Sequence, residues 1–191
     1  MQKSRLEAFS DGVLAIIITI MVLELRVPEG HEIKDLIIQW PKFFSYLLSF
    51  LYIGIYWGNH HHLLHTATRV TSSVMLANLN LLFWLSLIPI TTAWIGESHF
   101  ESQPVALYSF NLLLAGLAYF ILQKSIERTA APQEGLSKAL KHLSRKGILS
   151  QIAYACCIPL AFIIPQLSVA ITFILAIVWL IPERGIEKAQ Y

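Results

Sequence analysis

Six runs of mainly apolar residues fill almost the whole of this 191-residue chain. Each is close to the length of about 20 residues that a helix needs to cross the hydrocarbon core of a bilayer. Because unpaired backbone groups are costly there, runs of this kind predict helices. The sequence therefore predicts an all-α, multi-pass membrane protein. Its single domain, residues 1–191, would contain spans at about 8–26, 36–57, 74–95, 104–123, 147–165 and 166–183.

The composition supports a membrane protein and argues against two other classes. Hydrophobic residues make up 55% of the chain, charged residues only 14%, and the mean hydropathy of +0.59 exceeds that of an ordinary soluble domain. The spacings required by a catalytic triad, paired carboxylates or a phosphate-binding loop are missing from the sequence. A basic motif for nucleic acid is missing as well. We therefore expect neither an enzyme nor a nucleic-acid-binding protein, and no cofactor.

The distribution of lysine and arginine predicts the orientation of the spans. Short cytoplasmic loops retain these residues during insertion. With the N-terminus inside, 11 of the 14 fall on the cytoplasmic side and 3 on the other, so we expect both termini to be cytoplasmic. The predicted cytoplasmic set is Lys3, Arg5, Arg69, Lys124, Arg128, Lys138, Lys141, Arg145, Lys146, Arg184 and Lys188, and the outer set is Arg26, Lys34 and Lys42.

An ionisable residue, Asp11, stands at the start of the first apolar run, directly after Ser10. The preceding segment favours helix, so Asp11 is expected inside the first helix, where it needs hydrogen-bond donors from neighbouring helices. Arg5 and Phe9 then share one face at a spacing of i, i+4. In the alternative, Ser10 and Asp11 cap a helix that begins near residue 11.

Suitable donors stand at the end of the second span, which the predicted topology places at the same membrane level as Asp11. They include the indole N–H of Trp57, the amide of Asn59 and the imidazole of His60. The sequence therefore predicts a polar clamp in which Asp11 accepts hydrogen bonds from the region of Trp57 and His60.

Four histidines lie in the same segment: His60, His61, His62 and His65. His61 and His65 have the i, i+4 spacing of zinc ligands on a helix. That segment contains no cysteine or carboxylate to complete a site, so we expect no fixed metal ion. Proton sensing near Asp11 is the more natural role for imidazoles at this place.

The first helix is apolar on every face, so its amphipathicity cannot identify the side that lines a pore. Its few polar or small positions are more informative, since they fall on one stripe that holds the only hydroxyl of the run. We predict that this stripe lines a pore, although a packed or lipid-facing role stays open. The stripe contains Gly12, Ile16, Thr19, Ile20 and Leu23.

Two motifs carry a resemblance to a known family. They are Arg5-x-x-x-Phe9-Ser10-Asp11 at the start of the first span and Trp57-x-x-His60 at the end of the second. Together they resemble the prokaryotic members of the endolysosomal potassium channel family known as transmembrane protein 175. The resemblance covers the whole chain in length and number of spans, and covers specific residues in these two places.

The resemblance implies a homotetramer of six-helix subunits in a prokaryotic plasma membrane, with a pore along the first helices at the fourfold axis. It also implies a potassium-selective channel that has no carbonyl filter, and the sequence contains no Thr-Val-Gly-Tyr-Gly segment. The isoleucine five residues after the aspartate, here Ile16, is then the constriction and hydrophobic gate. Ile20 and Leu23 follow on later turns of the same face.

One alternative function stays open, namely a small proton-coupled secondary transporter. In that reading Asp11 and the cluster His60–His65 relay protons. Transporters often contain inverted repeats and helices broken near the membrane midplane. No repeat is visible in the sequence, whereas Pro89 in the third span is able to break a helix.

Overall fold

The structure, a computed structural model, describes residues 2–129 and 134–181, and of residues 134–142 it describes the backbone. These ranges contain helices and no strand. The helices are α1 (Lys3–Leu23), α2 (Ile33–Ile38), α3 (Trp40–Thr66), α4 (Ser72–Ser86), α5 (Ile88–Glu97), α6 (Ser102–Glu127), α7 (Glu134–Leu160) and α8 (Pro165–Leu180).

Helix α1 begins at Lys3, earlier than the predicted first span, so Asp11 lies inside the helix rather than at its cap. Ser10 is also interior, and its hydroxyl donates to the carbonyl oxygen of Leu6 at 2.9 Å. The alternative in which Ser10 and Asp11 cap a helix starting near residue 11 is therefore wrong. Asp11, which is expected to need donors from other helices, consequently lies inside α1 next to Ser10.

The predicted third span is a helix with a break. Residues Ser72–Glu97 form one long apolar stretch, which is interrupted at Leu87 between α4 and α5. Pro89 follows the break and contributes no backbone N–H. The hydroxyl of Thr92 donates to the carbonyl oxygen of Ile88 at 2.7 Å, which supplies a donor beside the interruption.

Other bounds differ from the predicted spans at their ends. Helix α3 continues to Thr66, beyond the predicted end of the second span at residue 57, so the histidine cluster lies within the helix. Helix α7 ends at Leu160 and α8 begins at Pro165, which places a tight turn just before the predicted boundary between the last two spans at residues 165 and 166. Among the residues that the structure describes, three stretches are long and apolar enough to cross a membrane, and α8 is a shorter apolar helix. The three are Lys3–Leu23, Ser72–Glu97 and Ser102–Glu127.

Contacts between helix ends show how the chain runs. At one end of the bundle the ammonium of Lys3 donates to the carbonyl oxygen of His65 at 2.9 Å, joining the start of α1 to the end of α3. At the other end Lys42 and Glu97 approach to 3.5 Å, joining the start of α3 to the end of α5. Consequently α1, α3 and the α4–α5 pair cross the bundle in alternating directions.

Helix α1 lies at the margin of the subunit and packs against α3, α4 and α5. Its contact face is a regular series of buried residues, spaced three or four apart: Leu6, Ser10, Leu14, Ile17 and Met21. Helix α6 lies against α4, α5 and α7, and contributes much of the remaining core. The fold therefore covers one side of α1 and leaves the other side open.

Candidate functional site

The uncovered side of α1 coincides with the stripe that the sequence singles out. Ile16 is 60% exposed and Leu23 is 74% exposed, whereas Ile17 is 3% exposed and Met21 is 2% exposed. Gly12, Thr19 and Ile20 are exposed as well. Within one subunit, then, a continuous apolar stripe of α1 has no protein packed against it.

Thr19 is the single hydroxyl on this stripe, and its hydroxyl donates to the carbonyl oxygen of Ala15 at 2.9 Å. Such a bond back to the preceding turn is common for a helical threonine. Because the proton is committed to the backbone, the oxygen of Thr19 presents only acceptor lone pairs to the uncovered side. That side therefore offers oxygen lone pairs and no hydroxyl donor at this level.

Asp11 has the partner that the sequence predicts. The indole Nε1 of Trp57 donates to Oδ1 of Asp11 at 3.0 Å, joining α1 to α3. The acceptor is a carboxylate, which makes this a charge-assisted hydrogen bond and stronger than a neutral one. Both side chains are exposed on the subunit, so the bond lies at its edge rather than in its core.

His60 does not reach Asp11, contrary to the predicted clamp. Its Nε2 lies 2.6 Å from Oδ1 of Asn78, and Nδ2 of Asn78 donates to the hydroxyl of Ser10 at 3.0 Å. Ser10 in turn donates to the backbone of α1, so Nε2 of His60 carries the proton in this chain of bonds. All three side chains are buried, and together they join α1, α3 and α4.

Asn78 is the residue of this network that sequence reasoning missed. Its signal was an amide within the apolar run of the third span. A buried amide must find partners in a low-dielectric interior, because an unpaired one is costly. Asn78 uses both its oxygen and its nitrogen, so it connects His60 to Ser10 without an unpaired atom.

Arg5 and Phe9, the other motif residues, lie on the open side of α1. Phe9 is exposed, and the exposed Arg5 makes no hydrogen bond or ion pair with any residue that the structure describes. The motif of the first helix is thus divided between two surfaces. Ser10 and Asp11 hold α1 to its neighbours, whereas Arg5 and Phe9 continue the uncovered stripe.

We expect Asp11→Asn to lower the melting temperature of the purified protein in detergent and to reduce the fraction that elutes as an assembled oligomer. The exchange keeps an acceptor oxygen but removes the charge that strengthens the bond from Trp57. Glu24→Gln is the matched control, since it removes the same charge at the exposed C-cap of α1. Equal melting temperatures for the two variants, with conductance reduced only in proportion to lost charge, would contradict a clamp.

Asn78→Ala is expected to destabilise the fold by about 1–3 kcal/mol, because it leaves the buried His60 and Ser10 with unsatisfied groups. The control is Asn80→Ala on the same helix, whose side chain makes no hydrogen bond within the described residues. Thermal unfolding in detergent compares the two. A loss for Asn80→Ala as large as for Asn78→Ala would argue against the network.

Comparisons with known proteins match both motif regions. A family model described as endosomal/lysosomal potassium channel TMEM175 matches residues 5–89. A potassium channel of Chryseobacterium sp. (strain P1-3) is 50% identical over 189 residues, covering 99% of this chain and 98% of that protein. A potassium channel of Chamaesiphon minutus is 32% identical and covers 92% of each.

The fold is similar to the crystal structure of a lysosomal potassium-selective channel TMEM175 homolog from Chamaesiphon minutus. The TM-score is 0.82 at 28% identity, over 95% of this chain and 97% of that one. The bovine endosomal/lysosomal proton channel TMEM175 is 31% identical over 151 residues, which is 71% of this chain and 31% of that protein. These relatives carry the names of channels rather than enzymes. The chain therefore belongs to the TMEM175 family of membrane channels.

Proposed function

We propose that this chain is the subunit of a potassium-selective cation channel whose pore is lined by α1. The observation that carries the proposal is the division of α1 into a buried face and an open apolar face that contains Ile16 and Thr19. The names of the bacterial relatives support potassium as the permeant ion. No bound cofactor belongs to the proposal.

A homotetramer is the assembly that gives the open face of α1 a role. Helices packed as one bundle enclose side chains rather than a water path, so a conduit built from one helix needs several copies around an axis. With four copies, Ile16, Ile20 and Leu23 form successive apolar rings. Ile16 lies closest to the clamped start of α1 and forms the constriction.

An apolar ring of this kind acts on ions through dehydration. Narrow apolar constrictions exclude water, so an ion must lose part of its hydration shell to cross. Potassium gives up water more readily than sodium, and a modest preference for potassium follows without a carbonyl filter. Tilting α1 widens the ring and admits water, so the same residues serve as a gate. The lone pairs of Thr19 favour a cation beyond the constriction.

The proposed orientation has six crossings and both termini on the cytoplasmic side of a prokaryotic plasma membrane. It rests on the uneven distribution of lysine and arginine. The α4–α5 pair counts as one crossing, because the break at Leu87 interrupts a single apolar stretch. On this orientation the clamp between Asp11 and Trp57 lies at the cytoplasmic end of the pore.

Reversal potentials of the purified protein in planar bilayers test the function directly. With potassium on one side and an equal concentration of sodium on the other, we expect stepwise single-channel currents that reverse at a voltage negative on the potassium side. The transporter alternative, with Asp11 and His60–His65 as a proton relay, is not favoured by the relatives. Saturable, proton-coupled flux without unitary currents would establish that alternative and overturn the channel.

Ile16→Asn should raise conductance and lower the preference for potassium over sodium, since an amide wets the ring. Ile17→Asn is the matched control, because the same exchange one position along the chain falls on a buried side chain. That control should reduce expression or stability instead. Ion flux into matched proteoliposomes measures both. If Ile17→Asn changed selectivity while Ile16→Asn did not, the pore face assigned to α1 would be wrong.

A further inference from the structure

Two of the histidines meet a carboxylate that comes from another helix. The potential ligand atoms of Glu7, His61 and His65 all lie within 4.8 Å of one another. His61 and His65 stand one helical turn apart on α3, with ring centroids 4.5 Å apart. Glu7 reaches them from α1, and its Oε1 lies 4.0 Å from Nε2 of His65. The structure thus supplies the carboxylate whose absence from the histidine segment argued against a metal ion.

Within the part of the chain that the structure describes, the carboxylate of Glu7 is incompletely hydrogen-bonded. Its Oε1 is buried, and none of the described residues donates a hydrogen bond to it. A buried carboxylate oxygen without a donor or counter-charge costs free energy. The nearby ammonium of Lys3 donates instead to the backbone carbonyl oxygen of His65. A cation held between Glu7 and the two imidazoles would satisfy that oxygen.

We propose that Glu7, His61 and His65 form a binding site for a divalent transition metal ion, with Zn²⁺ as the best match. Two imidazoles and one carboxylate are a donor set that zinc accepts, and three protein ligands leave a further position for water. Magnesium and calcium prefer sites made of oxygen ligands, so the two imidazoles disfavour them.

The site requires a small contraction of the side chains. Zinc ligands at about 2.0–2.2 Å from the metal lie about 3.4 Å from each other in tetrahedral geometry. The three ligand atoms are somewhat farther apart than this, with separations of at most 4.8 Å. Both histidines are exposed, so turning their rings toward Glu7 would not repack the buried core.

The position of the site gives metal binding a mechanical consequence. A metal ion would tie Glu7 of α1 to the end of α3, beside the bond between Asp11 and Trp57. The ring of Trp57 stacks on that of His61 at 6.5 Å between centroids, so the two ties are adjacent. Bound metal should therefore restrain α1. This consequence for ion flux rests on the proposed channel function, whereas metal binding itself does not.

Calorimetric titration of Zn²⁺ into the full-length protein, purified without a polyhistidine tag, tests the site. We expect one ion per subunit, and a loss of affinity of at least about tenfold for both Glu7→Gln and His65→Gln. The matched control is His62→Gln, which changes a neighbouring histidine outside the cluster and should leave affinity unchanged. Absence of binding by the unmodified protein, or equal losses for all three variants, would overturn the site.

Co²⁺ absorption spectra and potassium flux in the presence of Zn²⁺ test the site by two further measurements. Visible absorption bands of a Co²⁺-loaded protein should report mixed nitrogen and oxygen ligation, and should be lost in Glu7→Gln even if that variant is less stable. In proteoliposomes, Zn²⁺ at the end where α1 begins should lower potassium flux reversibly with a chelator, except in Glu7→Gln. Binding without any potassium flux would refute the channel and retain the site. Potassium flux without Zn²⁺ binding would refute the site and retain the channel.

Discussion

The hydrogen bonds that hold the start of α1 are the constraint on which the rest of the arrangement depends. α1 is apolar on every face, and non-directional packing contacts distinguish poorly between rotations of such a helix. The bonds from Asn78 to Ser10 and from Trp57 to Asp11 are directional and come from two different helices. They therefore fix the rotation of α1 about its own axis, and with it the face that stays uncovered.

The importance of that rotation follows from the sequence of the run itself. Successive residues of a helix are about 100° apart, so rotating α1 by that angle would bring Ile17 to the open side that Ile16 occupies. The two side chains are chemically identical, yet one is exposed and the other is buried. Nothing in the isoleucines selects between them. The selection comes from Ser10, whose hydroxyl must point toward Asn78 in the core.

Sequence reasoning predicted the features that follow from the free-energy cost of placing a polar group in an apolar segment. An ionisable group in an apolar run needs a donor, and this need is enough to predict the pairing of Asp11 with Trp57. The same reasoning misassigned His60, because consecutive histidines offer donors on several faces of α3 and only the phase of the helix decides among them. It also missed Glu7 as a partner of the histidines, since the two segments are distant in sequence and meet only once α1 packs against α3.

The two polar sets at this end of α1 differ in how completely they are bonded. The buried set of Ser10, His60 and Asn78 satisfies its own groups, so it has no capacity left and serves the fold. The more exposed set leaves an oxygen of Glu7 without a donor among the described residues, and this deficit gives it capacity for an ion. The far end of α1 is held by apolar contacts such as those of Met21, which small displacements weaken only slightly. In the proposed channel, an α1 fixed by directional bonds at its start and by apolar packing at its end would move most easily at its end. A metal ion bound by Glu7 would therefore act at the start of α1, which is the pivot of that movement.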